Sequence, residues 1–145
     1  MRGSPPGYLA RLVSTADLVQ DFLAGTPHAV VGASSDRSKF GNKVLRAYQQ
    51  HGRKVYAVHP RELLVEGAPT VASVADLPEP VHGLSIITPP PVTERIVEEA
   101  AAAGIRRLWM QPGAESAKAV ERAKELGLSV ISGGPCILVT LGFRE

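Results

Sequence analysis

The stretch HAVVGASSDRSKFGNKV, His28 to Val44, decides the fold. The apolar run Ala29–Val31 stops at Gly32, and a polar loop then leads through Gly41 into a stretch whose Val44, Leu45 and Tyr48 share one helical face. Strand, glycine turn and helix in that order open a nucleotide-binding βαβ unit. The dinucleotide fingerprint asks for glycine at its first, third and sixth positions, where this chain has Gly32, Ser34 and Arg37. The next glycine, Gly41, lies nine residues after Gly32, so the connection is longer and carries more side chains. Ser34, Ser35 and Ser38 supply hydroxyls, and Arg37 and Lys39 supply positive charge. These groups suit phosphate, added to the backbone amides of a helix N-terminus. A Walker-type P-loop is excluded because no Gly-Lys-Ser/Thr follows.

Outward from that stretch, short apolar runs alternate with helical patterns. Strands are expected at Ala29–Ala33, Lys54–Val58, Leu84–Thr88, Arg107–Gln111 and Leu128–Ser132. They are nearly continuous apolar runs, as a sheet covered on both faces requires. Helices are expected near Gly41–His51, Pro91–Ala103 and Glu115–Leu126, with Gly104 and Gly127 as C-terminal stops. Between Glu62 and Pro80 the pattern predicts a short edge strand at Pro69–Ala72 and a small helix in SVADLP. A flexible start precedes a helix in STADLVQDFLAG, capped by Ser14 or Thr15, with Leu18, Val19, Phe22 and Leu23 as its apolar face. Repeated βα units imply a Rossmann-like, doubly wound α/β fold: a parallel sheet of five to six strands with helices on both faces. The division expected is an N-terminal segment with a helix (1–27) and a Rossmann-like domain (28–145), forming one globular unit.

Composition narrows the function. With 145 residues, 44% hydrophobic and 21% charged, the chain fits one ordinary globular domain. A net charge of +2, from scattered Lys and Arg, gives no footprint for nucleic acid. No apolar stretch approaches the roughly 18 residues of a membrane span, and the N-terminus has no apolar signal core. A lone cysteine, Cys136, excludes an intramolecular disulfide and fits a reducing cytoplasm. Twelve prolines and an alanine-rich composition suit a thermophilic source.

In an open α/β sheet, ligands bind outside the carboxyl ends of the strands, where the strand order reverses. The tips there are Gly32–Phe40, His59-Pro60-Arg61, Thr88-Pro89-Pro90-Pro91 and Gln111-Pro112-Gly113, all rich in turn and small polar residues. An NAD site would end the second strand with Asp or Glu. This strand ends VHPR, and Arg61 suits a phosphate on the adenosine ribose, as in NADP or coenzyme A, or a solvated surface position.

The ordered set VVGASS, VYAVHPR, ITPPP, LWMQPGAES and ISGGPCI resembles the small stand-alone CoA-binding domain family. That family is related to the N-terminal CoA-binding domain of the succinyl-CoA synthetase α-subunit. The similarity runs from about His28 to Cys136. It implies a Rossmann-like cradle for CoA, with Gly32, Ala33, Ser34 and Ser35 toward the phosphates and Lys39 close by. Pro60 and Arg61 would border the adenosine and its 3′-phosphate, and Thr88, Pro89 and Pro90 the central groove. Gln111, Pro112 and Gly113 would lie along the pantetheine path. Pro135 and Cys136 fall where the ligase subunit carries an Asn-Cys-Pro turn, in a different residue order. That subunit carries its phosphorylated catalytic histidine in a second domain, which these residues do not include, so ligase activity does not carry over.

His28, His51, His59 and His82 lie at strand starts, helix ends or loops, and none has metal-ligand spacing. They read as solvated or locally bonded side chains, with interest attached to His59 on the rim. Trp109 reads as sheet packing, and Glu94, Glu98 and Glu99 as a wet helix face. Cys136 reads either as a small buried residue or as a thiol at the pantetheine end able to form a mixed disulfide with CoA. The expected function is a non-catalytic CoA- or acyl-CoA-binding protein, with a possible protein partner supplying catalysis. The alternatives are an NADP-binding oxidoreductase or redox sensor, and the CoA-binding subunit of a larger acyl-CoA ligase.

Overall fold

The computed structural model describes residues 13–145. The flexible start expected ahead of the first helix lies outside them. Helix α1 (Thr15–Leu23) begins with a capping box: the Ser14 hydroxyl accepts from the Asp17 amide, and the Asp17 carboxylate accepts from the Ser14 amide, at 3.1 Å each. Its one sealed side chain, Phe22, meets Trp109 edge to face with ring centroids 5.3 Å apart.

Strand β1 (His28–Val31) follows and is buried along its whole length. Next come α2 (Phe40–Gln50), β2 (Val55–Val58), β3 (Leu64–Val65), β4 (Ala68–Val71) and a 3-10 turn at Val74–Asp76. The chain continues through β5 (Gly83–Ile86), α3 (Pro90–Ala102), β6 (Arg107–Met110), α4 (Ala117–Glu125), β7 (Ser129–Ile131) and α5 (Ile137–Thr140). The sheet order is β3-β4-β2-β1-β5-β6-β7, parallel throughout except where β3 runs antiparallel to β4. The chain builds to one side of β1 and then crosses to the other, so the order reverses between β1 and β5.

Alternate residues of each strand face opposite layers. Ala29, Val31, Leu84, Ile86, Leu108 and Met110 pack with Ile96, Val97 and Ala100 of α3 and Ala119 and Ala123 of α4. Val30, Ala57, Trp109 and Ile131 pack with Phe22 of α1, Val44, Leu45 and Tyr48 of α2 and Ile137 of α5. The fold is therefore the Rossmann-like α/β sheet expected, with seven strands rather than five or six. The added pieces are β3, two residues long, and the extra four-residue helix α5. Neither is long enough to show a period. A two-residue turn closes the β3–β4 hairpin, with Glu66 (φ 51°) and Gly67 (φ 77°) both in the left-handed region that such hairpins require.

His28 departs from a solvated reading. It is wholly buried, stacked on Tyr48 at 5.0 Å, with Nε2 donating to the Phe22 carbonyl at 2.8 Å and Nδ1 unpartnered among the described residues. Burial holds its pKa down to about 4.

Candidate functional site

Where the strand order reverses, the backbone is packed without room for side chains. Gly32 sits at φ +92°, and a Cβ there would stand 2.7 Å from the Ile87 carbonyl oxygen at the end of β5. A Cβ on Gly41, near the start of α2, would overlap the Gly32 carbonyl. Turn, helix N-terminus and neighbouring strand thus touch through two glycines. The steric tasks of the fingerprint glycines, a tight turn and close helix–strand packing, are done here by Gly32 and Gly41.

Two clefts meet at this point, and Gly32 and His59 line both. The polar one, about 440 Å³, runs along Ala33, Ser34, Lys39 and Phe40 at the start of α2, with Ile87 opposite. No side chain caps α2, whose N-cap is Lys39 itself. Its free amides and the dipole favour an anion there. The other cleft, about 270 Å³, is mostly apolar: Val31, Val58, Pro60, Val92 and Ile96 form its walls. Ser73, Thr88, Arg95 and Glu99 add polar groups.

The loop between Gly32 and α2 is ordered by its own side chains. Ser34 Oγ accepts from the Asp36 amide at 3.0 Å, and Asp36 accepts from the Ser38 hydroxyl at 2.7 Å and the Ser38 amide at 3.0 Å. Those Ser38 bonds hold the Asp36 carboxyl below the usual carboxylate range. Buried Asn42 donates to the Ser34 carbonyl at 2.8 Å and to Glu66 of the hairpin at 3.0 Å, and Arg37 pairs with Glu66 at 3.4 Å. Glu62 also holds this loop: its Oε2 accepts from the Ser35 amide at 3.1 Å. Ser35, through its hydroxyl first and its amide second, holds Glu62 below the usual range. His59 Nδ1 accepts from the amides of Arg61 and Glu62 at 3.0 Å each. That places the neutral ring's proton on Nε2, 3.6 Å from the Glu62 carboxylate.

Of the residues singled out from the sequence, Gly32, Ala33, Ser34, Lys39, Pro60 and Thr88 line the two clefts together. Ser35 stands exposed at the loop, held by Glu62. Arg61 is exposed and lines neither cleft. Pro89 caps α3 and Pro90 begins it; neither lines a cleft. Thr88 Oγ1 is bonded at 2.7 Å to the buried Thr93 hydroxyl, which fixes the groove wall. Pro112 and Gly113 are exposed at the β6 tip.

Gln111 is wholly buried, with Oε1 accepting from the Ile137 amide at 3.0 Å, so it anchors the start of α5. Its Nε2 has no partner among the described residues. Cys136, half-buried, is the N-cap of α5. The preceding Pro135 carbonyl accepts from Trp109 Nε1 at 3.0 Å, and Trp109 is the sheet-packing residue expected.

Arg95 and Glu99 belong to the groove, a placement the sequence motifs do not indicate. Glu94 and Glu98 do form a wet face, paired with Lys118 (3.8 Å) and Arg122 (2.6 Å), whereas Glu99 lines the apolar cleft. The available signal is the spacing Val92, Arg95/Ile96, Glu99, one helical stripe running inward from the Thr88 tip. Among the described residues there is no cluster able to hold a metal ion and no helix long and apolar enough to cross a membrane.

Known proteins share this arrangement. The chain matches the family model of a CoA binding domain over residues 27–142. It is 31% identical over 119 residues to acetate–CoA ligase (ADP-forming) I of Archaeoglobus fulgidus, covering 75% of this chain and 17% of that protein's length. A hypothetical protein from Pyrococcus horikoshii superposes with a TM-score of 0.81 at 26% identity, over 96% of this chain and 95% of the other. The dinucleotide forming acetyl-coenzyme A synthetase 1 of Ca. Korarchaeum cryptofilum, in complex with phosphate and ADP, superposes with a TM-score of 0.69 at 26% identity. That match covers 78% of this chain and 27% of the synthetase chain. The ordered motifs, the seven-stranded sheet and the matched span agree: the chain belongs to the CoA-binding domain family.

Proposed function

We propose that the double groove binds coenzyme A or an acyl-CoA, and that the domain works by recognition, with any chemistry supplied by a protein partner. The observation that carries this reading is the contact of Gly32 with Ile87 and Gly41 beneath an uncapped α2 N-terminus, with Lys39 beside it. A diphosphate fits there: amides point outward, the dipole is positive, and a charge-assisted hydrogen bond contributes about 1.5–3 kcal/mol. The apolar cleft, walled by Val31, Val58, Pro60, Val92 and Ile96, suits an adenine ring. The pantetheine then leaves along Ile87 toward the β6 and α5 tips, where Pro112, Gly113 and Cys136 lie. A ligase partner accords with the A. fulgidus relative, a far longer protein in which the matched segment is 17% of the length.

A thermal-shift panel of CoA, acetyl-CoA, 3′-dephospho-CoA, NADP and NAD tests the reading. A ligand at 100 times its Kd stabilises the native state by about 2.7 kcal/mol, a shift of several degrees. CoA and acetyl-CoA should raise the melting temperature. A response to NADP with none to saturating CoA refutes the reading in favour of a nicotinamide site.

A further inference from the structure

Helix α3 contributes a whole stripe to the apolar cleft: Val92, Arg95, Ile96 and Glu99. Val92 and Ile96 supply apolar wall, and Arg95 is the only Lys or Arg among the residues lining this cleft. Two charges on the same helix are engaged on α4, Glu94 with Lys118 and Glu98 with Arg122. Arg95 and Glu99, both lining the cleft, have neither an ion-pair nor a side-chain hydrogen-bond partner among the described residues, which leaves Arg95 as the cation free to take a ligand. Arg95 is exposed and lines the same cleft as Pro60 and Ser73. Arg61 lies on the exposed side of the His59 turn and lines neither cleft.

We propose that Arg95 is the specificity-determining residue for the phosphate on the adenosine ribose. The inference rests on the CoA reading of the groove and moves the phosphate-reading role from the β2 tip to α3. With adenine between Val58, Pro60 and Ile96, the ribose lies near the cleft mouth, within the span of an arginine on the α3 wall. A guanidinium presents a planar fork of donors that grips phosphate bidentately, a geometry a lysine does not reproduce. An Arg with no internal carboxylate to leave gives up no ion pair when it takes the ligand's phosphate. Glu99, one turn further along the stripe, opposes a second anion in the cleft. That directs the diphosphate over Gly32 to the α2 end and leaves one phosphate for Arg95.

Isothermal titration of CoA and 3′-dephospho-CoA into the wild-type protein, Arg95→Gln, Arg95→Lys and Arg61→Gln tests this. Wild type should prefer CoA by about tenfold or more, the scale of a charge-assisted bidentate contact. Arg95→Gln should bring CoA down to the dephospho level while leaving dephospho-CoA within about twofold. Arg95→Lys should recover part of the preference, and Arg61→Gln should keep all of it. The inference is overturned if Arg95→Gln keeps the preference, if it weakens both ligands equally, or if Arg61→Gln is the variant that abolishes it. CoA bound by wild type without any preference over dephospho-CoA overturns the role of Arg95 alone. No binding of either ligand overturns the CoA reading itself. Arg95 is exposed, so circular dichroism should show all variants folded.

Discussion

Replacing Gly32 by alanine should both destabilise the domain and damage ligand binding, and the structure gives the size of the first effect. Two costs add. The backbone at φ +92° lies where an L side chain is strained by about 1–2 kcal/mol. The new Cβ would stand 2.7 Å from the Ile87 carbonyl oxygen and 3.0 Å from its carbon, so the β5 end must retreat by roughly 0.5 Å. Overpacking against backbone costs about 1–3 kcal/mol, bringing the sum to roughly 2–5 kcal/mol. For a domain of this size that is a fall in Tm of about 10 °C, read by circular dichroism at constant pH and salt. Gly52→Ala is the control. Gly52 has φ +64°, but a Cβ added there would meet nothing within 4 Å, so it carries the strain without the clash. Gly32→Ala should therefore cost clearly more than Gly52→Ala, and it alone should weaken CoA binding, because Gly32 lines both clefts. Equal melting shifts for the two variants, or unchanged CoA affinity in Gly32→Ala, would refute the argument that this close approach builds the site.

Two further outcomes are expected. Glu62→Gln removes the carboxylate that now rests on the Ser35 amide, so the affinity of an anionic ligand measured by titration should rise severalfold. A loss of affinity would mean that Glu62 itself contacts the ligand. His28 has a pKa of about 4 in the folded protein against 6.5 for the free side chain, so the unfolded chain binds its proton first. Stability is therefore unaffected above about pH 6.5 and falls as pH drops from there toward 4, by up to roughly 1.4 kcal/mol per unit. Urea melts between pH 5 and 7.5 should show this slope in wild type and its loss in His28→Gln, whatever that variant's baseline. A persisting slope would assign the effect to another group.

The strands are legible because both faces of the sheet are covered, which makes β1, β2, β5 and β6 read as apolar runs. The Ser14–Asp17 box marks the start of α1 in the same way. What escapes reading is chemistry at a distance from the strand tips. Sequence inspection assigns ligand contacts to the loop after each strand, and so it favours Arg61. Arg95 lies on a helix and reaches the cleft only because α3 packs with Val92 and Ile96 toward it. Gln111 misleads the other way: as a polar residue at a strand end it looks available, but alternation puts it on the same face as Trp109, beneath α5. His28 offers no local pattern from which to read its burial, which comes from Phe22, fixed by α1, and Tyr48, fixed by α2.

Two carboxylates, Glu62 ahead of β3 and Glu66 at the β3–β4 turn, have a kinetic meaning. Glu62 on Ser35, and Glu66 on Arg37 and Asn42, keep the loop after β1 in one shape while the groove is empty. A loop already held in place has little freedom left to lose when a phosphate arrives, which lowers the entropic cost of association. Capture of an anionic ligand should then be rapid and sensitive to salt.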